Sequence, residues 1–177
     1  MNMTFQCVRM TRLFAVITLV LLIGACSDEK EKPDQANTVA NAVGMTKLTV
    51  YKTPACGCCG EWVDHVGQAG FKTDVVNQDS VAHIKDRFGI PRNARSCHTA
   101  ITDEDLVFEG HVPAKYIREF LTERPSGARG LIVPAMPLGS PGMEYQDQFQ
   151  PYTIFMMTQD GQLEPYAKVA SYAQQFD

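Results

Sequence analysis

The chain has 177 residues, 45% of them hydrophobic, and a formal net charge of −4. Because charges of both signs are mixed and no basic stripe occurs, the sequence does not predict a nucleic-acid partner. The acidic excess is too small to indicate a partner by itself.

The first 25 residues have the pattern of a secretory signal peptide. Arg9 and Arg12 form a basic region before an apolar run over 13–23, which is shorter than the roughly 20 residues of a spanning helix. Small residues at 24 and 25 precede Cys26, so that 22–26 resembles the bacterial lipobox. We therefore predict that Cys26 is lipidated and becomes the N-terminus, with ordinary cleavage beside an incidental cysteine as the alternative.

Residues 26–45 are polar and lack aromatic side chains, which predicts a flexible tether before a folded domain over 46–177. Ser27 after the lipobox cysteine favours the outer membrane over the inner one. No later segment is apolar enough to span a bilayer, so the lipid is the only membrane contact that we expect. The predicted location is therefore periplasmic, tethered by lipid.

The hydrophobic pattern of 46–177 predicts the order strand, helix, strand, helix, two strands, helix, followed by a loop and a hairpin. The predicted elements lie at 47–52, 57–70, 71–77, 80–88, 97–102, 106–111, 113–124, 152–157 and 163–169. The first seven follow the thioredoxin order. We therefore predict an α/β, thioredoxin-like fold with a C-terminal loop and β-hairpin addition.

Four cysteines belong to this domain: Cys56, Cys58, Cys59 and Cys97. Two structural disulfides are the usual interpretation in an oxidising compartment, but vicinal Cys58 and Cys59 could bridge only through a strained ring. One bridge is easy, from Cys56 to Cys59 in the C-x-x-C register. The cluster begins the first predicted helix, where free N–H groups and the helix dipole favour thiolates for disulfide exchange or soft-metal binding.

Cys97 stands at the start of the third predicted strand, in the place where thioredoxin-like proteins normally have a cis-proline that faces the redox cysteines. A cysteine there would point its sulfur at the cluster. Four converging sulfurs suit Cu(I), zinc or an iron–sulfur centre. The C-x-C-C spacing matches zinc sites poorly, and an iron–sulfur cluster would normally be loaded in the cytosol. The sequence therefore favours several copper ions bridged by thiolates.

Methionines and one histidine are further candidate ligands. Met136 and Met143 lie in a loop that is too rich in Pro and Gly to be a core helix, so we expect each to be either a copper ligand or part of a lid. His111 ends a predicted strand at the same edge as Cys97, and it is either a ligand or a structural hydrogen bonder.

The other histidines are not predicted to bind metal. His98 follows Cys97 directly, so on a strand its side chain should face the opposite side of the sheet. His65 and His83 are expected to be solvated. Trp62 is expected to anchor the first helix in the core, and either Met156 or Met157 should be buried because the two alternate along a strand.

Four motifs in order resemble the CopG-like periplasmic copper-resistance proteins: YKTPACGCCGEW at 51–62, SCHTA at 96–100, EGHVPA at 109–114, and the Met136–Met143 loop with the Pro151-Tyr152 that follows it. The resemblance implies a thioredoxin-like fold, a thiolate-bridged copper cluster and a role in copper tolerance, including interconversion of Cu(I) and Cu(II). It carries over Cys56, Cys58, Cys59 and Cys97 as the cluster thiolates.

Three functions remain open at this point. The chain is a copper-binding redox protein, a thiol–disulfide oxidoreductase that uses Cys56 and Cys59, or a passive copper store or chaperone. Copper ions are the expected cargo. Other envelope proteins that handle copper are the expected partners.

Overall fold

A computed structural model describes residues 46–176 of the chain. The predicted signal peptide, the predicted lipidation site Cys26 and the predicted tether lie outside these residues. Within them, no helix combines the length and the apolar character that crossing a bilayer requires.

The helices and strands follow the predicted order closely. The strands are β1 (Lys47–Lys52), β2 (Lys72–Asn77), β3 (Thr99–Thr102), β4 (Val107–Glu109), β5 (Ala128–Ile132), β6 (Tyr152–Thr158) and β7 (Leu163–Val169). The α-helices are α1 (Gly57–Gln68), α2 (Ala82–Arg87) and α3 (Ala114–Glu123). Short 3₁₀ turns occupy Arg92–Ala94 and Tyr172–Gln175.

All seven strands form one mixed sheet in the order β2-β1-β3-β4-β5-β6-β7. The pairs β1–β2 and β4–β5 are parallel, and the other neighbours are antiparallel. The architecture is therefore mixed α/β, with the predicted hairpin β6–β7 at one edge. In the register of β3 and β4, Thr99 lies opposite Glu109.

The sheet separates two hydrophobic cores because successive strand residues point to opposite faces. Ala100, Phe108 and Leu131 pack with α1 and α3, including the fully buried Trp62. Their chain neighbours pack on the other face with α2; these are Ile101, Val107 and Ile132. Met157 is fully buried on that second face. The predictions of a core Trp62 and of one buried methionine in β6 are thus confirmed.

Strand β5 is not among the elements that the sequence predicts. Its sequence, Ala-Arg-Gly-Leu-Ile, has only a weak strand pattern, since Arg129 and Gly130 interrupt the apolar residues. Gly130 pairs with Val107 of β4, and a Cβ at Gly130 would collide with the Val107 backbone. The glycine that weakens the sequence signal is therefore what the close approach of the two strands requires.

His65 connects two helices rather than only facing solvent, contrary to the prediction. It is half-buried, and its Nε2 accepts a hydrogen bond of 3.0 Å from the backbone N–H of Ala114. Ala114 begins α3, whose first N–H groups have no partner within the helix. His65 thus caps α3 from α1. His83 is exposed, as predicted.

We expect His65→Ala to lower the free energy of unfolding by about 1 kcal/mol, because one helix-end donor loses its acceptor. His65→Gln, whose side-chain oxygen can accept the same bond, should cost less. Denaturant unfolding of each variant measures the difference, with His83→Ala as the exposed control. A loss as small in His65→Ala as in His83→Ala would contradict the capping role.

The same contact predicts a pH dependence. Burial lowers the pKa of His65 below its usual 6.5, so the unfolded chain takes up this proton at higher pH than the folded protein does. The stabilisation is therefore complete above pH 6.5 and declines as the pH falls towards the folded pKa. His65→Gln should be less sensitive than the wild type over about pH 5 to 7; identical slopes would contradict the assignment.

Candidate metal centre

The first turn of α1 carries three of the candidate ligands. Cys56 is the N-cap residue of this helix and makes no side-chain capping bond. Cys58 and Cys59 follow in the first turn, with Cys59 fully buried and Cys58 half-buried. The sulfurs of Cys56 and Cys58 are 3.5 Å apart. The C-x-C-C spacing at a helix start therefore puts three sulfurs together.

Cys97 reaches this turn from a distant part of the sequence. It lies two residues before the start of β3, and β3 pairs with β1, the strand that leads into the cysteine cluster. One sulfur from each of the four cysteines lies within 4.8 Å of every other. The convergence expected from the topology is therefore present. A four-sulfur cluster is a soft donor set of the kind that Cu(I) prefers.

In this structure Cys56 and Cys59 form a disulfide, the one pairing that the spacing made easy. Cys58 and Cys97 are free. A disulfide sulfur is not a thiolate, so Cys56 and Cys59 become strong metal ligands only after reduction by two electrons. The same four residues can thus offer two thiols or four.

His111 makes the structural hydrogen bond that is one of its two predicted roles, and its other ring nitrogen faces Cys97, so that its role as a ligand stays a prediction. Its Nδ1 lies 2.8 Å from the carbonyl oxygen of Pro141, and because a carbonyl only accepts, Nδ1 carries the proton. Its Nε2 lies 3.2 Å from the Cys97 sulfur. In the neutral ring Nε2 is then unprotonated, and its lone pair faces the sulfur cluster. A backbone bond that fixes the tautomer in this way is typical of ligating histidines.

The prediction that His98 faces away from Cys97 is wrong. Its Nδ1 lies 3.5 Å from the Cys97 sulfur, and His98 joins Cys97 and His111 as a second group of possible ligands. The strand begins only at Thr99, so the alternation of a strand does not apply to Cys97 and His98. His98 is fully buried and packs 4.4 Å from the Trp62 ring centre. Its Nε2 has no hydrogen-bond partner within the described part of the chain.

Burial sets the protonation of these groups. With the neighbouring Cys58 as a second cause, it raises the pKa of the Cys97 thiol to about 11. It lowers the pKa of His111, and it lowers the pKa of His98 well below the usual range. Both imidazoles are therefore neutral at pH 7, which is the form that binds metals. A metal ion at Cys97 would have to displace the thiol proton.

Residues 134–143, here called the Met loop, are fixed against the cysteine cluster from several sides. The Ser96 hydroxyl donates to the Ala135 carbonyl at 2.5 Å, and His111 binds Pro141 as described. A Cβ on Gly142 would lie 2.5 Å from the carbonyl oxygen of Cys58 and 2.8 Å from the backbone nitrogen of Trp62. The loop is thus in direct contact with the first turn of α1 and with the segment around Cys97.

The two methionines of the loop differ in environment. Met136 is 49% exposed and lines a groove with Pro134, Pro137 and Phe155. Met143 is half-buried, and its backbone bonds to Gly139 and Ser140. Their role as ligands or as a lid stays a prediction.

Comparisons with known proteins find one family and two solved structures that are similar to this chain. The family described as "Protein of unknown function, DUF411" matches residues 94–143, which span Cys97, His111 and the Met loop. No curated protein matches the chain. A solved structure described as "Copper resistance protein copG- Form 1" has 35% sequence identity and a TM-score of 0.65, and the match covers 70% of this chain and 96% of that one. The structure of Form 2 has 34% identity and a TM-score of 0.66, with 71% and 98% covered.

Gly142→Ala tests how tightly the Met loop is held. Gly142 has φ +83°, and an added Cβ would meet the backbone of Cys58 and Trp62. We expect thermal or denaturant unfolding to show a loss of at least about 1–3 kcal/mol. Gly67→Ala is the control, because Gly67 lies in α1 with open space around it and should gain about 0.5–1 kcal/mol. Equal effects of the two substitutions would contradict the close contact.

Proposed function

The chain belongs to the family of copper resistance protein CopG, and from this premise we propose that it binds copper as cargo in copper resistance. The ligands are Cys56, Cys58, Cys59 and Cys97, with His111 beside Cys97. One observation carries the proposal: Cys97 brings a fourth sulfur to within 4.8 Å of a cluster that already has three. Disulfide exchange needs only two cysteines, so it does not account for the other two.

The donor set fits several copper ions rather than one. Cu(I) accepts low coordination numbers and bridging thiolates, and both are needed when four sulfurs crowd together. The neutral His111 nitrogen adds a donor that also suits Cu(II). We therefore propose a multinuclear copper–thiolate cluster, with Met136, Met143 and His98 as further candidates at its border.

Once an external electron donor has reduced it, the Cys56–Cys59 pair gives this site a source of two electrons. Oxidation of the two thiols to the disulfide releases two protons and two electrons, which reduce two Cu(II) ions to two Cu(I) ions. The reverse reaction takes two electrons from two Cu(I) ions. The cysteine pair is therefore either a pair of ligands or a disulfide at any one time. This exchange of electrons supports a role in interconverting Cu(I) and Cu(II). Repeated oxidation and reduction of the bound copper by an electron donor would distinguish that role from passive storage.

The fold and the location complete the proposal. The order β2-β1-β3-β4, with β1 and β2 parallel and the other pairs antiparallel, supports a thioredoxin-like core to which β5 and the β6–β7 hairpin are added. We propose that the domain works in the periplasm, anchored through lipid on Cys26 and favouring the outer membrane. There it would exchange copper with other envelope proteins.

The disulfide favours a second candidate function, that of a thiol–disulfide oxidoreductase acting through Cys56 and Cys59. Both cysteines lie at the start of α1, where thioredoxin-type exchange sites are found, and Cys56 is half-buried. In this alternative Cys58 and Cys97 would have no chemical role.

Cys58→Ser and Cys97→Ser separate the two functions. If copper is the cargo, each variant should bind clearly fewer copper ions per chain than the wild type after reduction and anaerobic Cu(I) loading, because the bridging sulfurs are lost. Reduction of insulin by Cys56 and Cys59 should survive in both variants. Elemental analysis and an insulin turbidity assay measure the two properties.

Cys56→Ser is the matched control, since it should impair both copper binding and exchange. Unchanged copper content in Cys58→Ser and Cys97→Ser would contradict the four-sulfur site. Strong insulin reduction by a wild type that holds less than one copper per chain would favour the oxidoreductase.

A further inference from the structure

A buried ion pair lies on the face of the sheet opposite α1. Lys85 of α2 and Glu109 of β4 meet at 2.6 Å, and their side chains are 5% and 0% exposed. Burying two charges costs several kcal/mol per ion before their attraction is counted, and well-packed apolar residues are often as stable. A contribution to stability is therefore a weak explanation for the presence of this buried ion pair.

The Glu109 carboxylate holds the residues on both sides of Cys97 and His98. Its Oε1 accepts a hydrogen bond of 2.6 Å from the backbone N–H of Ser96, and its Oε2 accepts one of 2.6 Å from the hydroxyl of Thr99. Ser96 and Thr99 flank the Cys97–His98 dipeptide directly. Each carboxylate oxygen thus fixes one end of the segment that carries two candidate ligands.

Lys85 completes this arrangement. Its ammonium group donates to Glu109 Oε1 at 2.6 Å and to Thr99 Oγ1 at 2.9 Å. Because Lys85 has only donors, it compensates the carboxylate charge and leaves the carboxylate as an acceptor for Ser96 and Thr99. The ion pair and the two flanking residues therefore form one network.

The residues after Glu109 contact the same segment. The N–H of Gly110 donates to the carbonyl of His98 at 3.1 Å, and a Cβ on Gly110 would lie 2.7 Å from the Ser96 Cβ. One residue further, His111 approaches the Cys97 sulfur to 3.2 Å. Glu109 thus joins the two backbone segments that supply Cys97, His98 and His111.

We propose that Glu109, with Lys85 as its charge partner, is a positioning residue that holds Cys97 at the copper-binding distance from the C-x-C-C turn. This inference rests on the proposed function. Glu109 and Lys85 do not touch copper in this account. They act through Ser96 and Thr99, and their removal should weaken the metal site by the factor of about 10–100 that outer hydrogen-bond partners of ligands typically contribute.

Paired substitutions test this role without leaving a buried charge unpaired. In Lys85→Leu/Glu109→Leu the charges and both bonds to the flanking residues are removed. In Lys85→Leu/Glu109→Gln the charges are removed, but the amide oxygen can still accept from Ser96 and the amide nitrogen can still face Thr99. Circular dichroism and thermal unfolding establish that each full-length variant folds.

Anaerobic competition of the reduced proteins with a chromophoric Cu(I) chelator measures the affinity. The ultraviolet thiolate-to-copper absorption reports the sulfur ligation. We expect the Leu/Leu variant to bind Cu(I) about 10–100-fold more weakly, with reduced absorption. The Leu/Gln variant should remain within about threefold of the wild type. A folded Leu/Leu variant with wild-type affinity and absorption would overturn the positioning role.

A pair of single variants decides the question if Leu/Leu does not fold. Thr99→Val removes one bond to Glu109 and should weaken Cu(I) binding by up to about tenfold. Thr102→Val makes the same change at the far end of β3, where the hydroxyl accepts from Glu104 and Leu106, and should leave affinity unchanged. Equal Cu(I) affinities of these two variants would overturn the positioning role of Glu109 but not the proposed function. A wild type that binds no Cu(I) would overturn the proposed function, and the inference with it.

Discussion

Four sulfurs meet only because the segment before β3 is held against the first turn of α1, and several independent contacts hold it there. Trp62 of α1 donates its indole N–H to the carbonyl of Val112 at 2.9 Å and packs on His98. From the other face of the sheet, Glu109 binds the residues that flank Cys97 and His98. The Met loop closes the third side through Ser96, His111 and Gly142. On the proposed function, ligands held in this way are in place before a metal arrives, which lowers the ordering cost of binding.

The Cys56–Cys59 disulfide and the proposed copper site share atoms, so the redox state of the protein limits what it can bind. Cys58, Cys97 and His111 are not part of the disulfide, and Cys58 and His111 both lie beside Cys97 while it is formed. On the proposed function, reduction adds two thiolates to ligands that are already assembled. An ordinary exchange site has no use for these additional ligands, and they are the main physical difference between the two candidate functions.

Much of the fold and of the site follows from the sequence by local rules. β1 was predicted at its observed bounds because its polar and apolar residues alternate, and α1 starts at Gly57 as its apolar spacing indicates. The approach of Cys97 to the cluster followed from strand order. Failures arose where tertiary contacts decide the structure. β5 is held by its neighbours despite Gly130, and His98 turns towards Cys97 because the strand starts two residues later than its pattern suggests. Nothing local indicates that Lys85 and Glu109 meet, since 24 residues separate them.

X-ray absorption at the copper edge of the reduced, Cu(I)-loaded wild-type protein tests the central claim most directly. If the four cysteines bridge several copper ions, sulfur should dominate the nearest neighbours of copper, and a short copper–copper distance should accompany them. Substituting serine for Cys97 should reduce both signals, because that sulfur is the one supplied from outside the C-x-C-C turn. A first shell of nitrogen and oxygen atoms, or a single copper ion bound by two sulfurs with no neighbouring copper, would contradict the account.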